Sequence, residues 1–231
     1  MTDMKILPAG DRALVADFGN VISEDVNRRV NALKKSLLAE KIAGVREMIP
    51  TYRSLLVEYD PAVISGRSLA QHIEAARPEE ALSGETERRV LEIPCCYGGE
   101  YGEDLAGMAE LTGLSEKEII AIHAGTEYRV YMLGFLPGFV YLGGMDPRIA
   151  APRLKTPRVS IPAGSVGIGG SQTGVYPMAS PGGWRLIGMT PVAFYDPNRE
   201  KPVLCEAGDY IRFVPVSPEE YRRMKKEGGA S

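Results

Sequence analysis

The chain of 231 residues contains only three cysteines, two histidines and one tryptophan. Cys95 and Cys96 are adjacent, so together with Cys205 they form neither a disulfide framework nor a Cys-x-x-Cys dithiol motif. Neither histidine is spaced with cysteines as zinc ligands are. No apolar run is long enough to cross a bilayer, and no basic and apolar leader is visible. These absences favour a protein of the reducing, cytoplasmic compartment.

The usual signatures of nucleotide binding and of nucleophilic catalysis are also missing. The sequence has no Gly-Lys dipeptide and therefore no Walker A phosphate loop. Gln172 stands where residues 167–172 would need the last glycine of a dinucleotide fingerprint. Ala163 stands where a nucleophile elbow has its first glycine. A net charge of −3 and a pI near 5.6 give no basic footprint for nucleic acid. The sequence therefore does not show the motifs of an enzyme that evidently acts alone.

The first third of the chain follows the pattern strand, helix, strand, strand, helix. Residues 12–18 have the composition of a strand, and Ser23 is placed to cap a helix with an apolar stripe. We therefore predict a small α/β domain over residues 1–80. Residues 77–87 are polar and contain proline and glycine, which predicts a domain linker. A long exposed loop within one domain is the alternative.

Residues 88–231 predict a second domain made mainly of short strands. Glycine and proline divide these strands, which is typical of a barrel or a sandwich. Ser115 and Glu118 have the spacing of a capping box at the start of a short helix, and Ser217 is placed to cap a closing helix. The predicted fold class is α+β, with a small N-terminal α/β domain followed by a β-barrel domain.

The strand predicted over residues 126–133 carries the candidate catalytic residues. Alternation places Glu127, Arg129 and Tyr131 on one face and Tyr128, Val130 and Met132 on the other. Arg129 could bind a carboxylate or phosphate, or could pair with Glu127 on a sheet surface. His123 is the only imidazole nearby, and it is either a proton carrier that titrates near neutrality or a packed residue. The candidate catalytic residues are His123, Arg129 and Glu127.

Glycine, proline and aromatic residues are concentrated between residues 128 and 184, which favours loops around a binding site over simple barrel turns. The glycines of residues 164–174 could present N–H groups to an oxyanion or could form hairpins. The aromatic side chains of residues 134–142 are expected at a partner interface or at the rim of a shared cleft. The candidate substrate- or nucleotide-binding residues are Tyr131, Gly134, Phe135, Pro137, Gly138, Gly164, Ser165, Gln172, Thr173 and Tyr176, and no metal ligands are predicted.

Long motifs, in the same order along nearly the whole chain, resemble one family. They lie at residues 10–14, 44–47, 50–57, 96–105, 127–139, 141–144, 162–168, 172–174 and 180–184. The chain is similar to the allophanate hydrolase subunit 1-like proteins, which include the B subunit of bacterial ATP-dependent 5-oxoprolinase and a sporulation-kinase inhibitor. Val140 stands where the family is expected to have proline, and Ser171 where it is expected to have asparagine.

The resemblance implies that the barrel is cyclophilin-like and that the chain works in a hetero-oligomer. The implied partners are a cyclophilin-fold protein like the C subunit of 5-oxoprolinase and a protein like its A subunit. The implied reaction opens 5-oxo-L-proline to L-glutamate, using ATP with Mg²⁺ in the assembled complex. Because this chain lacks a phosphate loop, it is not expected to be active alone.

The resemblance leaves alternatives open. The same scaffold serves a regulator that blocks a sporulation-type histidine kinase, and it also serves carboxyltransferase-like subunits related to urea carboxylase and allophanate hydrolase systems. A prolyl isomerase is suggested by the fold alone, and fold does not carry function.

Overall fold

In this computed structural model, residues 4–76 and 88–228 are described. The chain divides into two compact units, Met1–Arg88 and Arg89–Ser231. The predicted linker, residues 77–87, lies outside the described residues. The α+β prediction is confirmed, since the first unit contains a four-stranded sheet with helices and the second contains a closed seven-stranded barrel.

The first unit is an antiparallel sheet covered on one face by two helices. Its strands are β1 (Lys5–Pro8), β2 (Ala13–Asp17), β3 (Val45–Pro50) and β4 (Ser54–Tyr59), in the order β1-β2-β4-β3, and its helices are α1 (Glu24–Glu40) and α2 (Gly66–Ala75). The Ser23 cap is confirmed, because its hydroxyl accepts a hydrogen bond from the Val26 N–H. The sequence reasoning missed β1, whose four residues are too few to show an alternating pattern.

The core of the first unit forms where the apolar stripe of α1 meets the sheet. Val30, Leu33 and Leu37 are fully buried, as are Leu55 and Val57 of β4. Burial of each such aliphatic side chain stabilises the fold by roughly 1.5–3 kcal/mol before the entropy cost is counted. The helical period of 3.6 residues places the three α1 residues on one face, so sequence and packing agree here.

The second unit is the barrel, with a two-stranded ribbon and three helices. Its strands are β5 (Val90–Tyr97), β6 (Glu127–Leu133), β7 (Val140–Gly143), β8 (Arg158–Ile161), β9 (Ser165–Gly169), β10 (Gln172–Val175), β11 (Ser180–Gly182), β12 (Arg185–Met189) and β13 (Tyr210–Pro215), and its helices are α3 (Leu105–Thr112), α4 (Glu116–Ala124) and α5 (Pro218–Gly228). The barrel order is β10-β7-β6-β13-β5-β12-β9, and β8 pairs with β11 in the ribbon. Only the β5–β13 pair among these described barrel pairs is parallel.

A β-bulge in β6 changes which residue at the end of this strand faces the barrel core, which corrects the prediction for Met132. The register with β7 shifts between Val130 and Met132, so Tyr131 is the extra residue of the strand. Tyr128 and Val130 share one face as predicted, and that face points into the barrel core. After the bulge, Leu133 rather than Met132 packs against that core. A one-residue shift exchanges the two faces of a strand, and nothing in the local sequence shows it.

The motif at residues 96–105 anchors β12. The Asp104 carboxylate accepts a hydrogen bond from the Leu186 N–H at 2.6 Å, and the Asp104 N–H donates to the Leu186 carbonyl at 2.9 Å. At Gly102 a Cβ atom would lie 2.1 Å from the Ile187 carbonyl oxygen, so only glycine fits this approach. The motif therefore fixes the strand that follows Trp184.

Candidate functional site

The candidate site is built around an aromatic cluster on the outer wall of the barrel. Val166 and Ile168 of β9 face the core, so the alternate residues Gly167 and Gly169 face outward. The indole ring of Trp184 lies on this wall. We define the aromatic cluster as Phe135, Phe139, Tyr141, Tyr176 and Trp184.

The rings of the aromatic cluster meet at steep angles, most of them edge to face. The Phe139 ring centroid lies 5.5 Å from that of Trp184 and 5.3 Å from that of Tyr176. The Tyr141 ring lies 4.9 Å from Phe139 and 6.4 Å from Trp184. Such edge contacts add roughly 0.5–1.5 kcal/mol per pair beyond the area buried. Ile161 of the β8–β11 ribbon packs against the same rings, so this is a second small core of the unit.

Close packing accounts for the glycines that the sequence singled out. A Cβ at Gly169 would lie 2.5 Å from the Trp184 indole, and one at Gly174 would lie 3.1 Å from it. Gly164 has a φ of +88° in a turn, where its Cβ would meet the Thr190 carbonyl oxygen at 2.5 Å. Gly170 forms the β9–β10 turn with a φ of +67°. These positions match the hairpin interpretation, because each glycine makes room for a ring or a turn.

The segment between β6 and β7 presents an exposed ring. Phe135 has a left-handed φ of 67° and is 64% exposed, with its ring 5.6 Å from Phe139. Phe139 is buried, and Tyr141 is half-buried. Of the three rings predicted to face outward, only Phe135 does so fully. A non-glycine residue at positive φ costs of order 1–3 kcal/mol, and such strain is concentrated at functional sites.

His123 is the largest correction at the site. Its ring is fully buried against Tyr128 and Phe213, and burial lowers its pKa to about 3. The prediction that it titrates close to neutrality is therefore wrong. The sequence showed a histidine at a helix end but could not show that α4 turns it into the barrel core.

A hydrogen-bond chain fixes the neutral form of His123. The Thr173 hydroxyl donates to the Gly167 carbonyl, so it accepts from His123 Nε2–H at 2.9 Å. His123 Nδ1 then accepts from the Tyr97 hydroxyl at 2.7 Å. Thr173, predicted as a binding residue, is likewise fully buried and faces this chain of hydrogen bonds. Both side chains are better explained as structural links among α4, β5 and β10 than as ligand contacts.

This burial predicts a pH dependence of stability. The folded pKa of His123 is depressed below its ordinary value of 6.5, so the unfolded chain binds the proton first as pH falls. The contribution of neutral His123 to the free energy of unfolding is fully present above about pH 6.5 and is lost as the pH falls towards 3. The loss between pH 6 and pH 5 is roughly 1 kcal/mol. Urea denaturation at each pH measures this decline. The variant His123→Gln should show less of it, and an equal slope in the variant would contradict the assignment.

Arg129 lies on the wall formed by β6, β7 and β13. Its Nη1 donates to the Tyr210 hydroxyl at 3.1 Å, and its guanidinium carbon lies 5.6 Å from the Tyr210 ring centroid. Tyr131 packs its ring over Gly143, where a Cβ would overlap it. Arg129 is therefore held in place by a ring on the neighbouring strand, with its planar fork oriented.

The structure separates the remaining predicted residues by exposure. Phe135 and Pro137 are exposed, whereas Glu127, Arg129, Gly134 and Gln172 are half-buried. The buried residues are His123, Tyr131, Gly138, Gly164, Ser165, Thr173 and Tyr176. The Ser165 and Ser180 hydroxyls are buried without a hydrogen-bond partner in the described parts of the chain. Among the predicted residues, His123 and Thr173 thus lie in a buried hydrogen-bond network, whereas Phe135 and Pro137 are exposed on the outside of the barrel.

The sequence reasoning missed the arginines beside the aromatic cluster. Arg153 lies 5.8 Å from the Trp184 ring, and burial raises the pKa of Tyr141 and Tyr176 although Arg153 opposes this rise. Arg158 forms ion pairs with Asp104 at 2.8 Å and Glu103 at 2.9 Å, and the Asp104 hydrogen bond raises its pKa. The only sequence feature that could have indicated them is composition, because residues 151–158 contain three cations and two prolines.

Comparison with known proteins identifies the family. The chain matches the carboxyltransferase domain, subdomain C and D, family over residues 4–205. It is 48% identical over 228 residues to the 5-oxoprolinase B subunit of Bacillus subtilis, covering 94% of this chain and 95% of that protein. The chain belongs to the family of 5-oxoprolinase B subunits.

A second 5-oxoprolinase B subunit and one solved structure are also similar to the chain. The 5-oxoprolinase B subunit of Haemophilus influenzae is 39% identical over 211 residues, covering 91% of this chain and 97% of that protein. The crystal structure of TTHA0988 superposes with a TM-score of 0.79 at 40% identity and covers 89% of this chain. The match spans only 40% of the TTHA0988 chain.

No helix in the described ranges, 4–76 and 88–228, has the length and apolarity to span a membrane.

Proposed function

We propose that the chain is the B subunit of an ATP-dependent 5-oxoprolinase, which opens 5-oxo-L-proline to L-glutamate as part of a hetero-oligomer. The observation that carries the proposal is the near-complete match, in both directions, to proteins of that name at 48% and 39% identity. The proposed partners are a cyclophilin-fold protein like the C subunit and a protein like the A subunit. The three free, buried thiols support work in the cytoplasm.

ATP and Mg²⁺ belong to the assembled complex in this proposal. Within the described residues there is no group of three His, Cys, Asp or Glu side chains that could hold a metal ion. The sequence has no Walker A loop either. No reaction step of this chain is assigned to an ATP–Mg²⁺ site.

The chain would contribute surface and orientation to the complex. The exposed Phe135 ring and the neighbouring Pro137 support a place for residues 134–142 at a partner interface or at the rim of a shared cleft. Arg129, oriented by Tyr210, is the proposed contact for an anionic group of the substrate. Glu127 and Gln172 are half-buried on the same unit and remain candidate contacts.

The variant Arg129→Lys tests the proposed anion contact. Lysine keeps the charge but loses the planar fork, so kcat/KM for 5-oxoproline should fall at least about tenfold, or roughly 1.4 kcal/mol of transition-state binding. The control is Arg212→Lys, whose residue lies in β13 opposite Glu127 and pairs with Glu92. Both variants should keep the wild-type melting temperature. A wild-type rate for Arg129→Lys would remove Arg129 from the site.

Reconstitution tests the proposed function directly. The purified chain should release no glutamate from 5-oxoproline and ATP, whereas the complex with both partner subunits should release glutamate and ADP. Omitting this chain from the complex should abolish turnover. Stoichiometric glutamate release by this chain alone, or full activity of the partners without it, would contradict the proposal.

A further inference from the structure

A group of cations lies beside the aromatic cluster. The Arg153 guanidinium carbon lies 5.8 Å from the Trp184 ring centroid, and Arg185 Nε donates to the Pro152 carbonyl at 2.9 Å. The loop of residues 152–157 is fixed there, because the Leu154 N–H donates to the Gly183 carbonyl at 2.7 Å. Lys155 follows on the same loop and is exposed. We call Phe135, Arg153, Lys155, Trp184 and Arg185 the basic-aromatic patch.

Within the described residues, the cations of the patch differ from their neighbours because they have no carboxylate partner. Arg148 pairs with Asp146 at 2.6 Å, and Arg158 pairs with Asp104 and Glu103. In the described part of the chain, no ion pair involves Arg153, Lys155 or Arg185. The chain as a whole carries a net charge of −3. A local excess of positive charge on an acidic protein produces a field that attracts anions.

The same region exposes apolar side chains. The Phe135 ring is 64% exposed, and Val159 of β8, next to Arg158, is 90% exposed. Trp184 itself is buried, and it supports Arg153 from below. The Phe135 ring is connected to Arg153 through Phe139 and Trp184. An exposed aromatic ring and arginines held in place around one aromatic cluster are the composition found at the energetic centres of protein interfaces.

We propose that the basic-aromatic patch is the docking surface for an acidic segment of a partner subunit, an inference that rests on the proposed function for its partner. Arg153 is backed by an indole and Arg185 is anchored through Nε, so little side-chain entropy is lost when their planar forks meet carboxylates. Opposite charges would also speed the encounter of the two proteins.

The exposed apolar side chains favour a protein segment over a small anion. A single carboxylate or phosphate group can pair with one or two guanidinium groups but cannot cover the Phe135 ring. An acidic segment with an apolar residue covers the ring and neutralises the cations in one interface. This combination predicts binding that weakens with salt but does not vanish.

The test is the affinity of this chain for the other two subunits of the complex, measured by titration calorimetry. The double variant Arg153→Glu with Arg185→Glu should weaken binding at least about tenfold near 0.15 M salt, where charges about 8 Å apart still interact. The control carries the same change in charge on α5, Arg223→Glu with Lys226→Glu, and should bind within about threefold of wild type. Trp184, the only tryptophan, lies beneath Arg153 in the patch, so its fluorescence should change when the wild-type complex forms.

The outcomes separate this inference from the proposed function. If the double variant binds like wild type while the complex remains active, the patch is not the docking surface and the proposed function stands. If no complex forms with the wild-type chain, the proposed function itself fails. In a final experiment, the wild-type chain alone is titrated with ATP and with 5-oxoproline in the calorimeter. Binding there that the double variant abolishes would assign the patch to a small anion and overturn the inference.

Discussion

Replacing Trp184 with alanine is expected to lower the free energy of unfolding of the barrel unit by roughly 3–5 kcal/mol. The Trp184 side chain is only 5% exposed, and it touches Phe139, Tyr141 and Tyr176 as well as the two glycines of the wall. Its removal leaves a cavity between the β8–β11 ribbon and the barrel. Those glycines offer no side chains to fill it.

The control for this prediction is Trp184→Phe, which keeps an aromatic ring. It should lower the free energy of unfolding by less than half as much as Trp184→Ala. Urea denaturation followed by circular dichroism measures both variants. Because Arg153 rests on the indole, Trp184→Ala should also weaken binding of the partner subunits. An unfolding free energy within about 1 kcal/mol of wild type would show that the aromatic cluster contributes little to stability.

Replacing Gly102 with alanine is expected to destabilise the barrel unit by about 3 kcal/mol or more, at the upper end of overpacking effects. The added methyl group would lie 2.1 Å from the Ile187 carbonyl oxygen and 2.8 Å from the Gly188 nitrogen. Both are main-chain atoms of β12, so neither can rotate away as a side-chain end would. Relief requires β12 to move, together with the hydrogen bonds that Asp104 makes to Leu186.

A matched control lies five residues further along, at Gly107 in α3. A Cβ at Gly107 meets nothing within 4 Å, and alanine is the better helix former. Gly107→Ala should therefore stabilise the unit by about 0.4–1 kcal/mol. The fluorescence of Trp184 during thermal unfolding reports both variants. Equal effects of the two substitutions would contradict the proposed close approach.

The architecture was accessible from the sequence where patterns are local. The cap at Ser23 and the capping box of Ser115 with Glu118 each depend on groups three residues apart, and both are present in the structure. The α1 stripe has the helical period, so its buried face could be read directly. The bulge at Tyr131 could not be foreseen, because it depends on the register with β7.

The candidate site was accessible only in part, because burial is a property of the whole fold. Phe139, Tyr141, Tyr176 and Trp184 do meet at one wall of the barrel, but Tyr128, Thr173 and His123 face inward from neighbouring elements. Arg153 and Arg185 follow no helical or strand period, so the sequence does not predict that they lie together. They are grouped only because Trp184 lies between them in the chain and beneath Arg153 in space. Their grouping depends on the loop of residues 152–157, which bonds to the main chain beside Trp184.

The parallel seam between β5 and β13 has a consequence for synthesis and folding. Arg89 and Asp209, which meet beside that seam, are 120 residues apart in sequence. The barrel cannot close until nearly the whole unit has left the ribosome, and such distant pairing folds in milliseconds to seconds rather than microseconds. A chain cut after residue 205, where the family match ends, would leave β5 and β6 as open edges. Those edges would recruit strands from other chains, so truncation at that point should cause aggregation.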